Sequence, residues 1–148
     1  MNGYLSLVLH AHLPYVRHPE HKEFLEEDWL YEAITETYIP LLEMFEKLTR
    51  DRIPWNLTLT MSGTLVNMLN DSLLRERYIR HMDKLIEFCE LEIERLKEYP
   101  DMLKVANHNL WFNKRAKSVY EDKYGRDLVG AFRKFQDQGN LEIIPVTA

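Results

Sequence analysis

The chain has 148 residues, of which 19 are Lys or Arg and 24 are Asp or Glu, so its formal net charge is −5. This acidic balance argues against a module that binds nucleic acid or another polyanion. The sequence contains no apolar run near the roughly 20 residues of a membrane helix, and its amino terminus does not resemble a signal peptide. Cys89 is the only cysteine, which excludes an internal disulfide. We therefore expect a cytoplasmic protein with one domain and a sizeable core.

The first predicted element is a strand over Tyr4–Leu9, an apolar run typical of a strand that is buried on both faces. His10 and His12 follow it, and Pro14 ends regular structure because proline has no N–H for a ladder. Side chains alternate along a strand, so the two histidines are expected to point to the same side. Ligands bind at the carboxyl ends of parallel strands. The two imidazoles are therefore candidate ligand-binding groups.

A charged connection, Arg17–Asp28, leads to the first predicted helix. Asp28 is its candidate N-cap and Trp29 its first residue. Apolar residues recur along this helix at helical spacing, and Pro40 is expected to kink it because proline removes one backbone hydrogen bond. A second strand is predicted over Ile53–Met61. The order strand, helix, strand predicts a parallel βαβ unit.

Three helical segments are predicted between the second and third strands. Ser62 is a candidate cap for a short helix over Thr64–Asn70. Asp71 is a candidate cap for a long helix that Tyr99 and Pro100 close. The next residues, 101–107, are predicted to form a connection into the third helical region.

The last helical piece, Leu128–Asp137, has Asp127 as its candidate cap and Gly139 as its left-handed terminator. A third strand is predicted over Leu141–Val146. These elements predict an α/β fold with parallel strands and a helical insertion between strands two and three. A complete (β/α) barrel needs roughly 250 residues, so this chain is too short to form one.

Two stretches of the chain carry a resemblance to a known family. One is LVLHAHLPYVRHPE at residues 7–20 with WLYEAITETYIPLL at residues 29–42, and the other is GNLEIIPVTA at residues 139–148. They resemble the amino-terminal part of the catalytic domain of glycoside hydrolase family 57, in particular its 1,4-α-glucan branching enzymes and α-amylase-like members. The resemblance implies the amino-terminal portion of a (β/α)7-type barrel. Residues 1–148 would then form a single partial catalytic domain.

The same resemblance implies roles for four residues. His10 would contact the substrate beside the cleaved sugar ring, and His12 would support it from behind. Trp29 would form an acceptor-side wall of the glucan groove, and Glu142 would contact the sugar near the cleavage point. The family's nucleophilic glutamate and acid aspartate come from later strands, so the chain is expected to hold no catalytic residue and to be inactive alone. The expected partner is an α-glucan such as glycogen, amylose or maltooligosaccharide, and no metal or other cofactor is implied.

Each of these residues also has a structural interpretation. The histidines could be hydrogen-bonded structural residues, Trp29 could cover the core at a helix start, and Glu142 could be a glutamate at a sheet edge. Trp55 and Trp111 lack motif support and are assigned to packing.

Two further functions stay open from the residues alone. One is a non-catalytic α/β module that binds carbohydrate or a partner subunit. Its exposed sheet edges would favour self-association. The other is a metal-dependent, deacetylase-like hydrolase that uses His10 and His12, because two histidines on one strand can present two zinc ligands.

Overall fold

A three-stranded parallel sheet lies at the centre of the computed structural model, which describes residue 3 and residues 5–147. The strands are Val8–Ala11 (β1), Leu57–Ser62 (β2) and Leu141–Val146 (β3). Their order in the sheet is β1-β2-β3, and both neighbouring pairs are parallel. The predicted α/β class with parallel strands is confirmed. Tyr4, the first residue of the predicted opening strand, lies outside the described residues.

Helices and two π-helical segments fill the connections between the strands. The π-helical segments are Ala33–Tyr38 and Val119–Lys123. The α-helices are Glu27–Glu32 (α1), Ile39–Arg50 (α2), Gly63–Asn70 (α3), Ser72–Arg95 (α4), Pro100–Ser118 (α5) and Leu128–Asp137 (α6). Four α-helices therefore separate β2 from β3, where three helical segments were predicted. None of the helices in the described ranges is long and apolar enough to cross a membrane.

The helices cover one face of the sheet and leave the other face open. Ala11, Leu59, Met61 and Leu141 point to the covered face and are buried in the core. We call the other side the open face. Its residues are Val8, His10, Thr58, Thr60, Glu142 and Ile144. The prediction that the first strand is buried on both faces is wrong, because 56% of Val8 is exposed.

Side-chain caps fix several helix ends as the sequence predicts. The Ser62 hydroxyl accepts a hydrogen bond from the N–H of Leu65, and an Asp71 carboxylate oxygen accepts one from the N–H of Leu74 at 3.0 Å. Asp127 caps α6 in the same way. Gly139 follows α6 with a φ of 79°, the left-handed conformation that glycine adopts without strain.

Two predicted boundaries of the helical insertion are wrong. Residues 101–107 belong to α5 and are not a connection. Pro100 occupies the first turn of this helix, where its missing N–H costs no hydrogen bond, so it starts a helix here. The preceding helix, α4, ends at Arg95, before the predicted stop at Tyr99.

The helix after β1 begins earlier than predicted and contains a π-helical segment that was not predicted. It starts at Glu27, and Asp28 lies in its first turn, where no side-chain cap forms. The backbone changes to π-helical geometry at Ala33–Tyr38, and the N–H of Ile39 bonds to the carbonyl of Ile34, five residues earlier. Pro40 follows this wide turn at the start of α2. The widened turn accommodates a residue that cannot donate a hydrogen bond, and such turns are among the usual places where helices bend, so the kink at Pro40 stays a prediction.

The core beneath the covered face contains an aromatic cluster that includes Trp55. Its ring stacks on Phe45 with centroids 4.5 Å apart and lies 5.8 Å from the Phe135 ring. The assignment of Trp55 to packing is confirmed. The assignment of Trp111 is wrong, because 55% of it is exposed on α5 and the guanidinium of Arg115 lies over its ring.

The second strand is shorter at its start than predicted. It begins at Leu57 and ends at Ser62, so residues 53–56 precede it as irregular chain. Pro54 lies in that segment and has no N–H to donate to a neighbouring strand.

Candidate functional site

His10 and His12 lie together at the carboxyl end of β1, as predicted. His10 is opposite Thr60 in the parallel register, and its Nδ1 lies 2.5 Å from the Thr60 Oγ1. Both histidines are exposed, and their ring centroids are 6.0 Å apart. The Nδ1 contact leaves His10 Nε2 as the ring nitrogen that can face a ligand on the open face.

The segments that follow β1 and β2 meet beside these histidines. The Thr64 hydroxyl, in the first turn of α3, donates a 3.4 Å hydrogen bond to the carbonyl of Leu13. The N–H of Val16 donates to the sulfur of Met68, on the same helix. These contacts hold the chain after β1 against α3. This segment and α3 therefore border the edge of the sheet that carries the histidines. This is the edge at which α/β proteins place their ligands.

Glu142 shares the open face with His10 but lies deeper. It is opposite Thr58, whose hydroxyl donates a 2.8 Å hydrogen bond to Glu142 Oε2, and the glutamate is exposed. Thr58 precedes Thr60 by two residues, so Glu142 lies one layer nearer the amino-terminal ends of the strands than His10. Glu142 is the only carboxylate on the open face as defined above. A paired-carboxylate site of the kind that hydrolyses glycosidic bonds needs two.

Trp29 lies on α1 with half of its surface exposed. No hydrogen bond or aromatic contact joins it to His10 or His12 in the described part of the chain. Its neighbours on α1, Leu30 and Tyr31, are buried, so Trp29 is on the outward side of this helix. The structure therefore leaves its face free but does not bring it into contact with the histidine pair.

A buried ion pair orders the connection between β1 and α1, and no motif in the sequence predicts it. Arg77, on α4, contacts the Glu27 carboxylate and donates hydrogen bonds to the carbonyls of His18 and His21. Glu27 also accepts from the hydroxyl of Tyr31 at 2.9 Å. The one available signal was that Arg77 stands next to Tyr78 in the apolar stripe of α4, where a charged residue needs a buried partner.

A groove of about 670 Å³ lies between this connection and α4. His81 lines it, with its Nδ1 3.4 Å from an Asp28 carboxylate oxygen. Burial lowers the pKa of His81, although Asp28 acts in the opposite direction. The exposed side chains of Leu25 and Phe88 flank the groove.

The side chains of the open face indicate which kind of ligand it could bind. Among residue 3 and residues 5–147, no three His, Cys, Asp or Glu side chains come together as metal ligands. The open face instead offers imidazole, hydroxyl and carboxylate groups beside two apolar side chains, Val8 and Ile144. Such a surface can hydrogen-bond a neutral polyhydroxylated molecule and cover its apolar faces.

The fold is that of the amino-terminal part of a (β/α)7-type barrel. Its ligand-facing groups lie at the carboxyl edge of the parallel sheet. The model of glycosyl hydrolase family 57 matches residues 6–148. The chain therefore belongs to glycosyl hydrolase family 57.

Individual relatives agree with this assignment. The chain is 33% identical over 148 residues to a 1,4-alpha-glucan branching enzyme of Thermococcus kodakarensis, covering 100% of this chain and 21% of that protein. Its structure is similar to the alpha-amylase AmyC of Thermotoga maritima, with a TM-score of 0.89, 44% identity, and coverage of 98% of this chain and 27% of the other. It is also similar to a GH57-type branching enzyme of Pyrococcus horikoshii, with a TM-score of 0.89, 33% identity and the same coverage. The chain thus spans about a fifth to a quarter of the length of these relatives.

Proposed function

We propose that this chain forms a substrate-contacting part of an α-1,4-glucan-processing enzyme, of the branching or α-amylase type. The observation that carries the proposal is the hydrogen-bonded pair of His10 and Thr60 at the carboxyl edge of the sheet, in a chain of family 57. Relatives that are named branching enzymes and an alpha-amylase support an α-glucan as the substrate class. Residues 1–148 would act as one partial catalytic domain, in the cytoplasm.

In this proposal, four side chains at and beside the open face bind and orient the glucan. His10 contacts the sugar ring next to the cleaved bond through its free Nε2, and His12 supports it. Glu142 accepts a hydrogen bond from a sugar hydroxyl. It does so from a position one layer nearer the amino-terminal ends of the strands than His10. Trp29 offers an indole face on which a pyranose ring of the acceptor side can stack.

The chemical step would follow the retaining, double-displacement route, with a carboxylate nucleophile and a carboxylic acid about 5–5.5 Å apart. The open face presents one carboxylate, Glu142, so it cannot form this pair by itself. We therefore propose that the chain alone is inactive. Assays for new reducing ends and for new branch points should both stay at background with amylose as substrate, and clear turnover by the purified chain would contradict the proposal.

Binding can be tested separately from turnover. Calorimetry with maltooligosaccharide should show saturable binding, and His10→Ala should weaken it about tenfold, because it removes a hydrogen-bonding group from the sugar contact. His108→Ala is the matched control, since His108 is an exposed histidine on α5. Equal affinity of the His10→Ala variant and the wild type would refute the sugar-contact role.

A further inference from the structure

The two ring nitrogens of His10 have different surroundings. Nδ1 lies 2.5 Å from the hydroxyl oxygen of Thr60, the residue directly opposite on β2. The side chain of His10 is otherwise exposed on the open face. A neutral imidazole carries one proton, so the Thr60 contact determines which nitrogen donates and which accepts.

The hydroxyl of Thr60 favours one of the two tautomers. Its only hydrogen-bond partner among the described residues is His10 Nδ1. If Nδ1 carried the proton, the hydroxyl oxygen would accept it, and the hydroxyl hydrogen would have only solvent as its acceptor. If Nδ1 accepts instead, the hydroxyl hydrogen is used within the protein and the ring proton is on Nε2. The second arrangement pairs the two side chains and leaves the Nε2–H for solvent or a ligand.

The pattern of β2 shows that the hydroxyl is not needed to form the strand. Leu57, Leu59 and Met61 point to the covered face, and the two threonines between them point to the open face. Valine has the same shape as threonine and is equally favoured in strands, so packing alone would accept it here. Thr58 uses its hydroxyl in the same manner, as the donor to Glu142. Each threonine therefore restrains one polar side chain of the open face.

We propose that Thr60 is a positioning residue for His10. Its hydroxyl donates to Nδ1, holds the imidazole in the tautomer protonated at Nε2, and directs that N–H outward as a hydrogen-bond donor to a sugar oxygen. The sugar in this statement rests on the proposed function, whereas the tautomer does not. Sequence reasoning missed Thr60 because no motif marks it, and only the parallel register places it beside His10.

The first test is spectroscopic and needs no ligand. Imidazole nitrogen shifts are measured by NMR at about pH 8.5, well above the ordinary histidine pKa of about 6.5, and the His10 signals are identified by their loss in His10→Gln. The wild type should show one His10 tautomer, protonated at Nε2. Thr60→Val should give a mixture of tautomers, and Thr60→Ser should restore the wild-type pattern. Thr58→Val is the matched control on the same strand and face, and it should leave the His10 signals unchanged.

The second test is the affinity for maltooligosaccharide. Thr60→Val should weaken binding about fivefold, since a hydrogen bond that orients a donor contributes modestly, and Thr60→Ser should recover it. A wild-type His10 protonated at Nδ1, or identical His10 signals in the wild type and Thr60→Val, would overturn the assignment. If the wild type binds no sugar, the proposed function fails while the tautomer comparison still decides the role of Thr60.

Discussion

Arg77 is the side chain that links the connection after β1 to the helical insertion. Its guanidinium reaches Glu27 and two backbone carbonyls, and only 7% of the residue is exposed. Its Nε is buried and has no partner among the described residues, so the other two nitrogens carry all of the hydrogen bonds seen there. A buried pair of this kind contributes little compared with well-packed apolar residues, but breaking it leaves an uncompensated charge.

Replacing Arg77 should therefore destabilise the protein strongly. We expect Arg77→Met to lower the free energy of unfolding by about 3–5 kcal/mol, because Glu27 stays buried without its counterion. Arg80→Met, an exposed arginine on the same helix, should change it by less than about 0.5 kcal/mol. Guanidinium denaturation measures both. A loss for Arg77→Met no larger than that for Arg80→Met would show that the ion pair does not stabilise the fold.

Buried tyrosines make the stability depend on alkaline pH. Burial raises the pKa of Tyr38 and of Tyr120 to about 12. It is also the largest cause of the raised pKa of Tyr31, Tyr78 and Tyr124. In the unfolded chain, tyrosine ionises near pH 10. The folded state therefore retains more protons, and the stability that these tyrosines contribute is fully present below pH 10 and is lost as the pH rises toward 12.

The denaturant concentration at the unfolding midpoint can be measured between about pH 8 and pH 12. It should decrease once the pH exceeds about 10, the ordinary pKa of tyrosine. Tyr38→Phe should reduce the fall, since it removes one group that must ionise in the unfolded state. Tyr15→Phe is the control, because 52% of Tyr15 is exposed. Equal pH dependence of the Tyr38→Phe variant and the wild type would contradict this account.

The residues of the site were only partly predictable from the sequence. Strand alternation places His10 and His12 on one side, and the structure agrees. The depth of Glu142 could not be predicted, since it depends on the register of β3 against β2, and no local signal encodes a register between residues 84 positions apart. The position of Arg77 in an apolar stripe indicates a buried partner, but no local signal identifies that partner as Glu27, 50 positions earlier.

Among the secondary structure elements, the ends of the insertion helices follow local chemistry. Asp71 caps α4 through the N–H of Leu74, and its other carboxylate oxygen lies 2.6 Å from the Nε of Arg17. The cap fixes the amino-terminal end of α4, and the ion pair joins that end to the connection after β1. One side chain thus links two segments of the chain.

The two roles of Asp71 can be separated by substitution. Asp71→Ala removes both and should lower the free energy of unfolding by about 1–2 kcal/mol. Asp71→Asn keeps a side-chain oxygen for the cap and should lose less than half of that amount, since asparagine caps helices as well as aspartate. Urea denaturation of the two variants and the wild type gives the comparison. Equal losses would mean that the ion pair with Arg17, not the cap, carries the contribution.

Helix boundaries were predicted well where the boundary residue has one common structural role and poorly where it has two. Ser62, Asp127 and Gly139 mark ends in the structure as expected. Proline can stop a helix or occupy its first turn. At Pro100 the second meaning applies, so a segment predicted as a connection is helical. The π-helical segment before Pro40 has no established sequence signal and was not predicted.

At the scale of the whole molecule, the sheet formed by the described part of the chain has two unpaired edges, since β1 and β3 are its outer strands. Exposed strand edges can pair with another chain. We propose that the isolated chain self-associates through them. Sedimentation velocity should show a mass that increases with concentration.

A charge on the edge strand should oppose this pairing. Val8→Lys, on β1, should shift the sedimentation distribution toward the monomer. Leu91→Lys introduces the same charge at an exposed apolar position on α4, away from the sheet, and should not. A monomeric wild type at all concentrations, or equal effects of the two variants, would refute association through the strand edges.

The parallel topology also affects the order in which contacts can form. The hydrogen bond between His10 and Thr60 closes a loop of 50 residues, and the one between Thr58 and Glu142 closes a loop of 84. The helices need contacts only a few residues apart, so they can form in microseconds, whereas strands this distant must first meet by diffusion against a larger entropic cost. We therefore expect the helices to form before His10, Thr60 and Glu142 come together on the sheet.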